Sequence, residues 1–454
     1  MSFDVGPGPR SSQPAPLEPL WTRRTPRRAG GEIWFDISRT LWRVLYGSLT
    51  GIDRVQIAYA GQLLAQAPDR LRFVAYDYRG DFAALSHGRA ASLIRAIGPA
   101  WHDGSLRRLR RPALDLLAQS LLARTRLRAA DHAAVRPTYL NVSNHPLQCG
   151  AAVGRMLRRT GAAFVPMVHD LIPMEHPQYC PARWPARHAQ CIDTIVRFAD
   201  GIIANSATTA SALRPHLPPS HSLATVPLGI ASAPAGVALT AEAPPARPYF
   251  LCLGTVEARK NHITLLNVWR RLAAMQQGPI PRLVIVGKRG WRNEQVLTAL
   301  DRCTVLRPHV EERGVISDAE VAALMAGAAA LVMPSFCEGF GLPVAEALSR
   351  GLPVICSDIP AHREIGGDVP DYLAPLDEVG WEQAILDFAR PFSRRRAAQT
   401  ARLAYWRWAS WEDHVAEALD YVDAIAACAA ARAPAPAPAI APGRPAPYGG
   451  IAAV

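Results

Sequence analysis

Two doubly wound α/β domains facing a central cleft are the fold that this 454-residue sequence predicts. Three observations carry the prediction. Short apolar runs recur without polar alternation, the pattern of strands buried on both faces of a parallel sheet. Stretches of helical periodicity separate most of these runs, as crossover helices do. The runs also fall into two series, parted by a Pro- and Ala-rich spacer.

Residues 1–30 are Pro-, Ser- and Arg-rich without apolar periodicity, and are expected to be a disordered tail. The first domain is expected over 31–235, with strands at 32–37 (EIWFDI), 72–77, 138–142, 163–170, 201–205 and 223–229. A linker at 236–248 leads to a second domain over 249–392, with strands at 249–254 (YFLCLG), 282–287, 304–308, 330–335 and 353–358. A helical segment at 393–430, carrying Trp406, Trp408 and Trp411, is expected to pack back towards the first domain. Residues 431–454 read as an extended Pro/Ala tail. In doubly wound folds ligands bind beyond the carboxyl ends of the strands, so the site is expected between the two domains.

No apolar run reaches the 18 residues that a transmembrane helix needs. The N-terminus lacks the apolar core of a secretory signal. The eight cysteines are scattered, with no CxxC and no zinc-ligand spacing, which fits reduced thiols in the cytoplasm. The formal net charge is +12, and it is uneven. Residues 31–235 hold 23 Arg against 13 Asp and Glu, whereas residues 246–392 hold 15 basic against 17 acidic side chains. A basic first half implies an anionic partner or substrate. No helix-turn-helix, zinc-finger or RNA-recognition signature accompanies the charge, so nucleic acid is not expected. Of the 50 basic residues only two are lysines, Lys260 and Lys288.

Chemistry concentrates in two stretches of the second half. In "PSFCEGFGLPVAEALSRG" (334–351), Pro343 suits the first position of a helix and Gly351 its end. The backbone N–H groups around Phe340, Gly341 and Leu342 then lie at the positive end of that helix and suit an anion or a sugar oxygen. Glu338 and Glu346 can each grip a vicinal diol; a helix carboxylate and a solvated loop glutamate fit the spacing equally. In "LGTVEARKNHITLL" (253–266), Arg259 and Lys260 fall between a strand ending at Gly254 and a helix opening at Asn261. That placement favours a binding role over a solvated basic turn. His169 and Asp170 close a strand in "VHD", where Asp170 is positioned to orient the imidazole. Lys288 and Arg289 in "GKRGW" either flank the cleft or form a surface turn, and Glu364 either supports the site or caps a helix.

"EGFGLPVAE" resembles the E-x7-E motif of retaining glycosyltransferases of the GT-B fold, in particular glycosyltransferase family 4 (GT4). "GTVEARKN", "VIVGKRGW", "GVISDAEVAALMAGAAALVMPS" and "GLPVICSDIPAHREIGGD" resemble, in order, other parts of that family's second domain. "TGIDRVQIAYAGQLL", "VHDLIP", "ADGIIANS" and "VPLGI" are similar to pieces of its first domain. The resemblance spans about residues 31–425 and implies hexose transfer from a nucleotide sugar, with retention at the anomeric carbon. It implies that Glu338 holds hydroxyls of the donor sugar and Glu346 the ribose. It further implies that Arg259 and Lys260 neutralise the leaving diphosphate, that His169 reaches the donor sugar, and that Gly51 admits the diphosphate to the backbone. Phe340, Gly341, Leu342, Gly254 and Lys288 complete the expected donor site. A covalent role for Glu338, as in retaining glycosidases, is the chemical rival; the family resemblance implies instead a same-face reaction in which the donor phosphate takes the acceptor's proton.

The wording of these motifs is most similar to the mannosyltransferase branch, which favours GDP-mannose as donor and a glycan or lipid-linked oligosaccharide of bacterial surface polysaccharide as acceptor. No D-x-D occurs, so no metal is expected, and no cofactor. The alternatives are a non-catalytic sugar-nucleotide or glycan binder, an epimerase on the same scaffold, or a phosphorylase, which would need a lysine for its pyridoxal group. Residues 105–128 interleave Arg107, Arg108, Arg110, Arg111, Arg124, Arg126 and Arg128 with leucines. They read either as a partly buried helix or as a peripheral contact with anionic membrane at the cytoplasmic face.

Overall fold

The computed structural model describes residues 30–46, 49–77, 79–122, 127, 136–231, 247–275 and 278–431. The expected tails and the linker lie outside them save at their edges, as do Arg124, Arg126 and Arg128. The first sheet has seven strands: β1 (Ile33–Asp36), β2 (Leu71–Tyr76), β3 (Phe82–Ala84), β4 (Thr138–Asn141), β5 (Ala163–Val168), β6 (Ile202–Ala204) and β7 (Leu223–Thr225). Their spatial order is β3-β2-β1-β4-β5-β6-β7, parallel throughout except that β3 runs antiparallel to β2. The second sheet has six: β8 (Tyr249–Leu253), β9 (Arg282–Val286), β10 (Val310–Gly314), β11 (Ala330–Met333), β12 (Val354–Ser357) and β13 (Asp371–Leu373). Their order is β10-β9-β8-β11-β12-β13, all parallel.

Both orders reverse direction at one place, between β1 and β4 and between β8 and β11. A crevice opens at the carboxyl end of the sheet at such a switch point. The central strands are buried save for Tyr249 at the start of β8, so each reads as an almost wholly apolar run: "YFLCL" in β8, "ALVM" in β11 and "VICS" in β12. The edges differ. The run at 304–308 is a turn, and the strand follows it at β10, whose sequence VEERG is polar because that edge strand is half exposed. Strands β3 and β13 are three-residue edge strands, too short for any periodicity to show.

The helix Trp411–Ala431 returns from the second domain to the first. His414 places Nδ1 2.7 Å from the Pro227 carbonyl and Nε2 2.7 Å from the Tyr59 hydroxyl. Tyr421 accepts from the Ile202 N–H at 3.1 Å, and Arg70 pairs with Asp423. Just before this helix, two indoles stack with centroids 6.1 Å apart. Trp408 donates to the Leu228 carbonyl of the first domain, at 2.7 Å, and Trp406 to the Ile365 carbonyl of the second, at 3.0 Å. The segment therefore hydrogen-bonds both domains.

In the basic stretch, the helix Arg110–Leu122 buries Ala113, Leu116 and Leu117 in the first domain's core. Arg107, Arg108, Arg110 and Arg111 are exposed, with Leu114 and Leu121. Among the described residues, no helix is long and apolar enough to cross a membrane.

Candidate active site

The helix Leu342–Ser349 follows β11 after the loop 334–341, and Pro343 lies in its first turn. Gly341 caps it at φ 102°, a left-handed conformation that glycine adopts without strain. Across the cleft, the helix Gly51–Gln66 points its own N-terminus at the same spot. A Cβ on Gly51 would lie 3.6 Å from Leu342. Two helix N-termini, one from each domain, thus converge where an anion is favoured from both sides.

Beneath them, Glu338 is clamped. Its Oε1 accepts from Lys260 Nζ at 2.6 Å and from Ser335 Oγ at 2.8 Å; its Oε2 accepts from Arg259 Nη1 at 2.6 Å. All three charged side chains are largely buried, Glu338 at 7% and Lys260 at 8% exposure. Burial alone would raise the Glu338 pKa, but the fields of Arg259 and Lys260 hold it well below the usual carboxylate range. Arg259 also pairs with Glu257 at 2.6 Å. Burial works against the Arg259 charge, and the fields of Glu338 and Glu257 more than restore it.

The loop holding these cations is tied to the loop holding Glu338. Phe336 N donates to the Arg259 carbonyl at 2.8 Å, and Asn261 Nδ2 donates to the Pro334 carbonyl at 3.0 Å. Lys260 runs over Gly254, where a Cβ would stand 3.3 Å from Lys260 Cε. The packing explains why this position holds a slender lysine: an arginine fork needs more room.

Glu346, on the first turns of its helix, faces Arg54 of the first domain at 4.0 Å. Arg54 also pairs with Asp318 of the second domain and covers the Trp101 ring at 4.5 Å. Burial raises the Glu346 pKa, and Arg54 partly offsets that. At the other end of the cleft, Gly339 meets the end of β5, and a Cβ there would collide with the His169 carbonyl. Ser206 Oγ and Thr209 Oγ1 donate to the Gly339 carbonyl at 2.7 and 3.2 Å. Glu364 reaches from the second domain to the first. It accepts from Ala207 N at 2.6 Å, from Thr208 N at 3.0 Å and from Thr208 Oγ1 at 2.9 Å.

Two expectations are corrected. The His169 ring is buried, which pushes its pKa down, and Nε2 lies 2.8 Å from the Val142 carbonyl. That carbonyl, not Asp170, orients the ring; Asp170 Oδ1 accepts from Ile172 N instead, at 3.1 Å. Arg289 forms an outward network with Glu312 and Asp301, at 2.7 and 2.6 Å, rather than flanking the cleft. Lys288 beside it is half-buried and turned inward: burial lowers its pKa first, and then the field of Arg43 from the opposite domain.

Residues 247–390 match the family model described as glycosyl transferases group 1. That match covers nearly all of the second domain. The O-antigen chain mannosyltransferase B of Escherichia coli is 34% identical over 165 residues, 36% of this chain and 43% of that protein. The serotype-specific mannosyltransferase WbdA of Escherichia coli is 27% identical over 269 residues, 56% of this chain and 33% of that protein. The matched regions thus span less than half the length of these relatives. Among solved structures, HepE of Anabaena in complex with UDP and glucose aligns with a TM-score of 0.56 at 15% identity, covering 86% of this chain and 99% of that one. At that identity the likeness concerns the fold, which is GT-B. Of the residues expected in the donor site, Glu338, Arg259, Lys260, Gly341, Leu342 and Glu346 lie on the second domain's loops and helix beside the cleft, with Gly51 opposite Leu342; Gly254 lies under Lys260, and the Phe340 side chain is buried, its ring 5.9 Å from that of Trp408.

The sequence reading overlooked most of the first-domain face: Arg39, Arg43, Asp53, Arg54, Ser206 and Thr209. Arg39 and Arg43 stand one turn apart on the helix Ser38–Tyr46, which directly follows β1. A signal was present in the pairing of that helix with Thr50-Gly51 and Asp53, but nothing in a chain with 48 arginines marks which of them face inward.

Proposed function

We propose that the protein is a retaining hexosyltransferase. It takes a hexose from a nucleotide sugar, GDP-mannose being favoured, and passes it to a glycan or lipid-linked acceptor in bacterial surface polysaccharide synthesis. The carrying observation is Glu338 held ionised between Arg259 and Lys260 at the foot of the Leu342–Ser349 helix. A fixed carboxylate there can accept hydroxyls of a bound sugar, and fixed cations can stabilise the charge that builds as a nucleoside diphosphate departs. Glu346, at the nucleotide end of the same helix, is the candidate ribose ligand once Arg54 gives way. The mannose lean rests on the O-antigen and serotype-specific mannosyltransferases to which parts of this chain are similar. HepE, whose structure holds UDP and glucose, supports a nucleotide sugar as the donor class.

His169 acts in this reading through its backbone, whose carbonyl abuts Gly339 and accepts from Thr209 Oγ1 at 3.0 Å. The Arg259–Lys260 pair supplies the positive charge that other glycosyltransferases draw from a divalent ion, so no metal and no cofactor is invoked. The exposed Arg107, Arg108, Arg110 and Arg111, with Leu114 beside them, suit a peripheral contact with anionic lipid at the cytoplasmic face.

The test is a panel of nucleotide sugars offered to the purified full chain. Thermal shift reads binding, because a ligand stabilises in proportion to its occupancy and affinity. Chromatography reads nucleoside diphosphate release. Stabilisation and release with one donor support the enzyme; binding without release on any acceptor supports the non-catalytic alternative.

A further inference from the structure

The two domains meet at two places that are built differently. At one, the chain itself passes back to the first domain, and the buried His414 fixes its last helix there. At the other, residues 170–184 of the first domain meet the second through side chains that are only half-buried: Tyr179, Trp184, Trp291 and Phe336. A contact of that kind can part and re-form while the first holds.

The segment "DLIPMEHPQYCPARW" follows β5 directly. Its prolines, 173, 177 and 181, and Pro185 after it, fall every fourth residue, which stiffens the backbone. Leu171 and Ile172 are buried at its root, where His188 Nε2 lies 3.1 Å from the Asp170 carbonyl. Further along, the Tyr179 ring lies parallel to Phe336, with centroids 5.5 Å apart, two residues before Glu338. The Trp184 and Trp291 rings meet at 4.6 Å. Trp291 Nε1 donates to the Tyr179 carbonyl at 2.9 Å, and Arg292 Nε to the Cys180 carbonyl at 2.6 Å. Because the His169 carbonyl abuts Gly339, the first domain grips the Glu338 loop at both ends, Phe336 and Gly339. Glu338 is left 7% exposed.

The turn that supplies Trp291 and Arg292 is unusual. Arg292 has φ 52°, a left-handed conformation that costs free energy in a residue with a Cβ. The Val256 carbonyl holds the turn from beneath, accepting from Gly290 N at 3.0 Å and from Asn293 Nδ2. The conformation directs two consecutive side chains at one segment of the opposite domain.

We propose that residues 170–184 are a strap, held by Trp291 and Arg292 over the sugar end of the cleft, and that its closure decides whether the hexose goes to an acceptor or to water. In hydrolysis a water oxygen bonds to the anomeric carbon. The bond from that carbon to the diphosphate breaks, both electrons leave with the diphosphate, and one water proton is released. An acceptor hydroxyl takes the same place in transfer. Water needs no positioning by an acceptor site, so exclusion from the Glu338 side is what separates the two outcomes. Trp291 and Arg292 act through the strap and are positioning residues. This inference rests on the nucleotide-sugar reading above.

Two measurements on the full chain test it. Hydrogen exchange of peptides covering 171–184 reads whether the strap is held. The ratio of free to transferred hexose, with the nucleotide-sugar panel and a mannose-terminated oligosaccharide, reads what closure does. Trp291→Ala is expected to speed exchange and to raise that ratio about tenfold, the size of an aromatic contact plus a hydrogen bond. Trp291→Phe keeps a ring against Trp184 but not the N–H donor, and about a threefold rise is expected. Arg292→Gly loses its hydrogen bond while glycine takes the left-handed turn without strain, so it reads the strap even where Trp291→Ala fails to fold. Its rise is also about threefold. Wild-type exchange in Arg292→Gly and Trp291→Phe overturns the strap and leaves the function proposed above intact. Faster exchange with an unchanged ratio, or an equal fall of transfer and hydrolysis, overturns its role in excluding water. A wild-type chain that neither transfers nor hydrolyses any donor overturns the function and the shielding role together, whereas exchange still reads the strap.

Discussion

The two faces of the cleft are built on opposite electrostatic plans. On the second-domain face, buried charges of both signs neutralise one another: Glu338 and Glu257 against Arg259 and Lys260. On the first-domain face, Arg39 and Arg43 share one buried carboxylate, Asp53, and keep about a quarter of their side chains exposed, 24% and 23%. The difference separates two tasks. A neutralised cluster holds side chains rigidly in low dielectric, as chemistry requires; part-exposed guanidinium groups keep donors for a ligand, as binding requires. The two faces are also joined by hydrogen bonds at the Gly339 carbonyl and the Glu364 carboxylate, so closure is written into the same residues.

Removing one member of the neutralised cluster is the strongest way to break this contrast. Glu338→Ala is expected to lower turnover by about 10^2–10^3-fold, on the scale of losing one preorganised electrostatic group. It also strands the buried Lys260 ammonium and leaves Arg259 to Glu257 alone, so a fall in melting temperature accompanies the kinetic loss. Steady-state kinetics and thermal melts check the two effects separately. Nucleoside diphosphate binding changes little, because Glu338 is assigned to the sugar and not to the nucleotide.

Gly339→Ala comes next. Its methyl meets the His169 carbonyl and holds the domains apart. A misplacement of about 1 Å costs on the order of 10^2-fold in kcat/KM. Wild-type kinetics in this variant would show that the closed arrangement plays no part in turnover. Lys260→Arg keeps the charge but not the fit over Gly254, and about a tenfold loss is expected; full activity would reduce the lysine to a generic cation.

Glu364→Gln weakens a cap that crosses between the domains. A lost cap interaction costs about 1 kcal/mol, so donor KM rises severalfold while kcat holds. At the bottom of the scale stands the chelator: saturating EDTA leaves turnover unchanged if Arg259 and Lys260 supply the compensating charge, and loss of activity reversed by a divalent ion would contradict that.

The sequence made the two faces unequally legible. Central strands such as β8 and β11 are buried on both sides, so burial writes itself as an apolar run. The polar edge strand β10 and the three-residue β3 and β13 leave no such trace. The same holds for the site. Glu338 and Glu346 sit at fixed spacing on one loop and one helix, a local pattern. Arg39, Arg43 and Arg54 acquire meaning only when the helices after β1 are folded against the other domain. His169 shows the converse, since its strand-end position was legible but its hydrogen bond to the Val142 carbonyl depends on a neighbouring strand.

The central claim, that this cleft transfers a hexose from a nucleotide sugar with retention, is tested most directly by NMR of the product as it forms, with GDP-mannose as donor and a mannose-terminated oligosaccharide as acceptor. The account predicts that the new glycosidic linkage carries the donor's own anomeric configuration from the first turnover. An inverted linkage would contradict it, and so would an intact donor after prolonged incubation across the whole nucleotide-sugar panel.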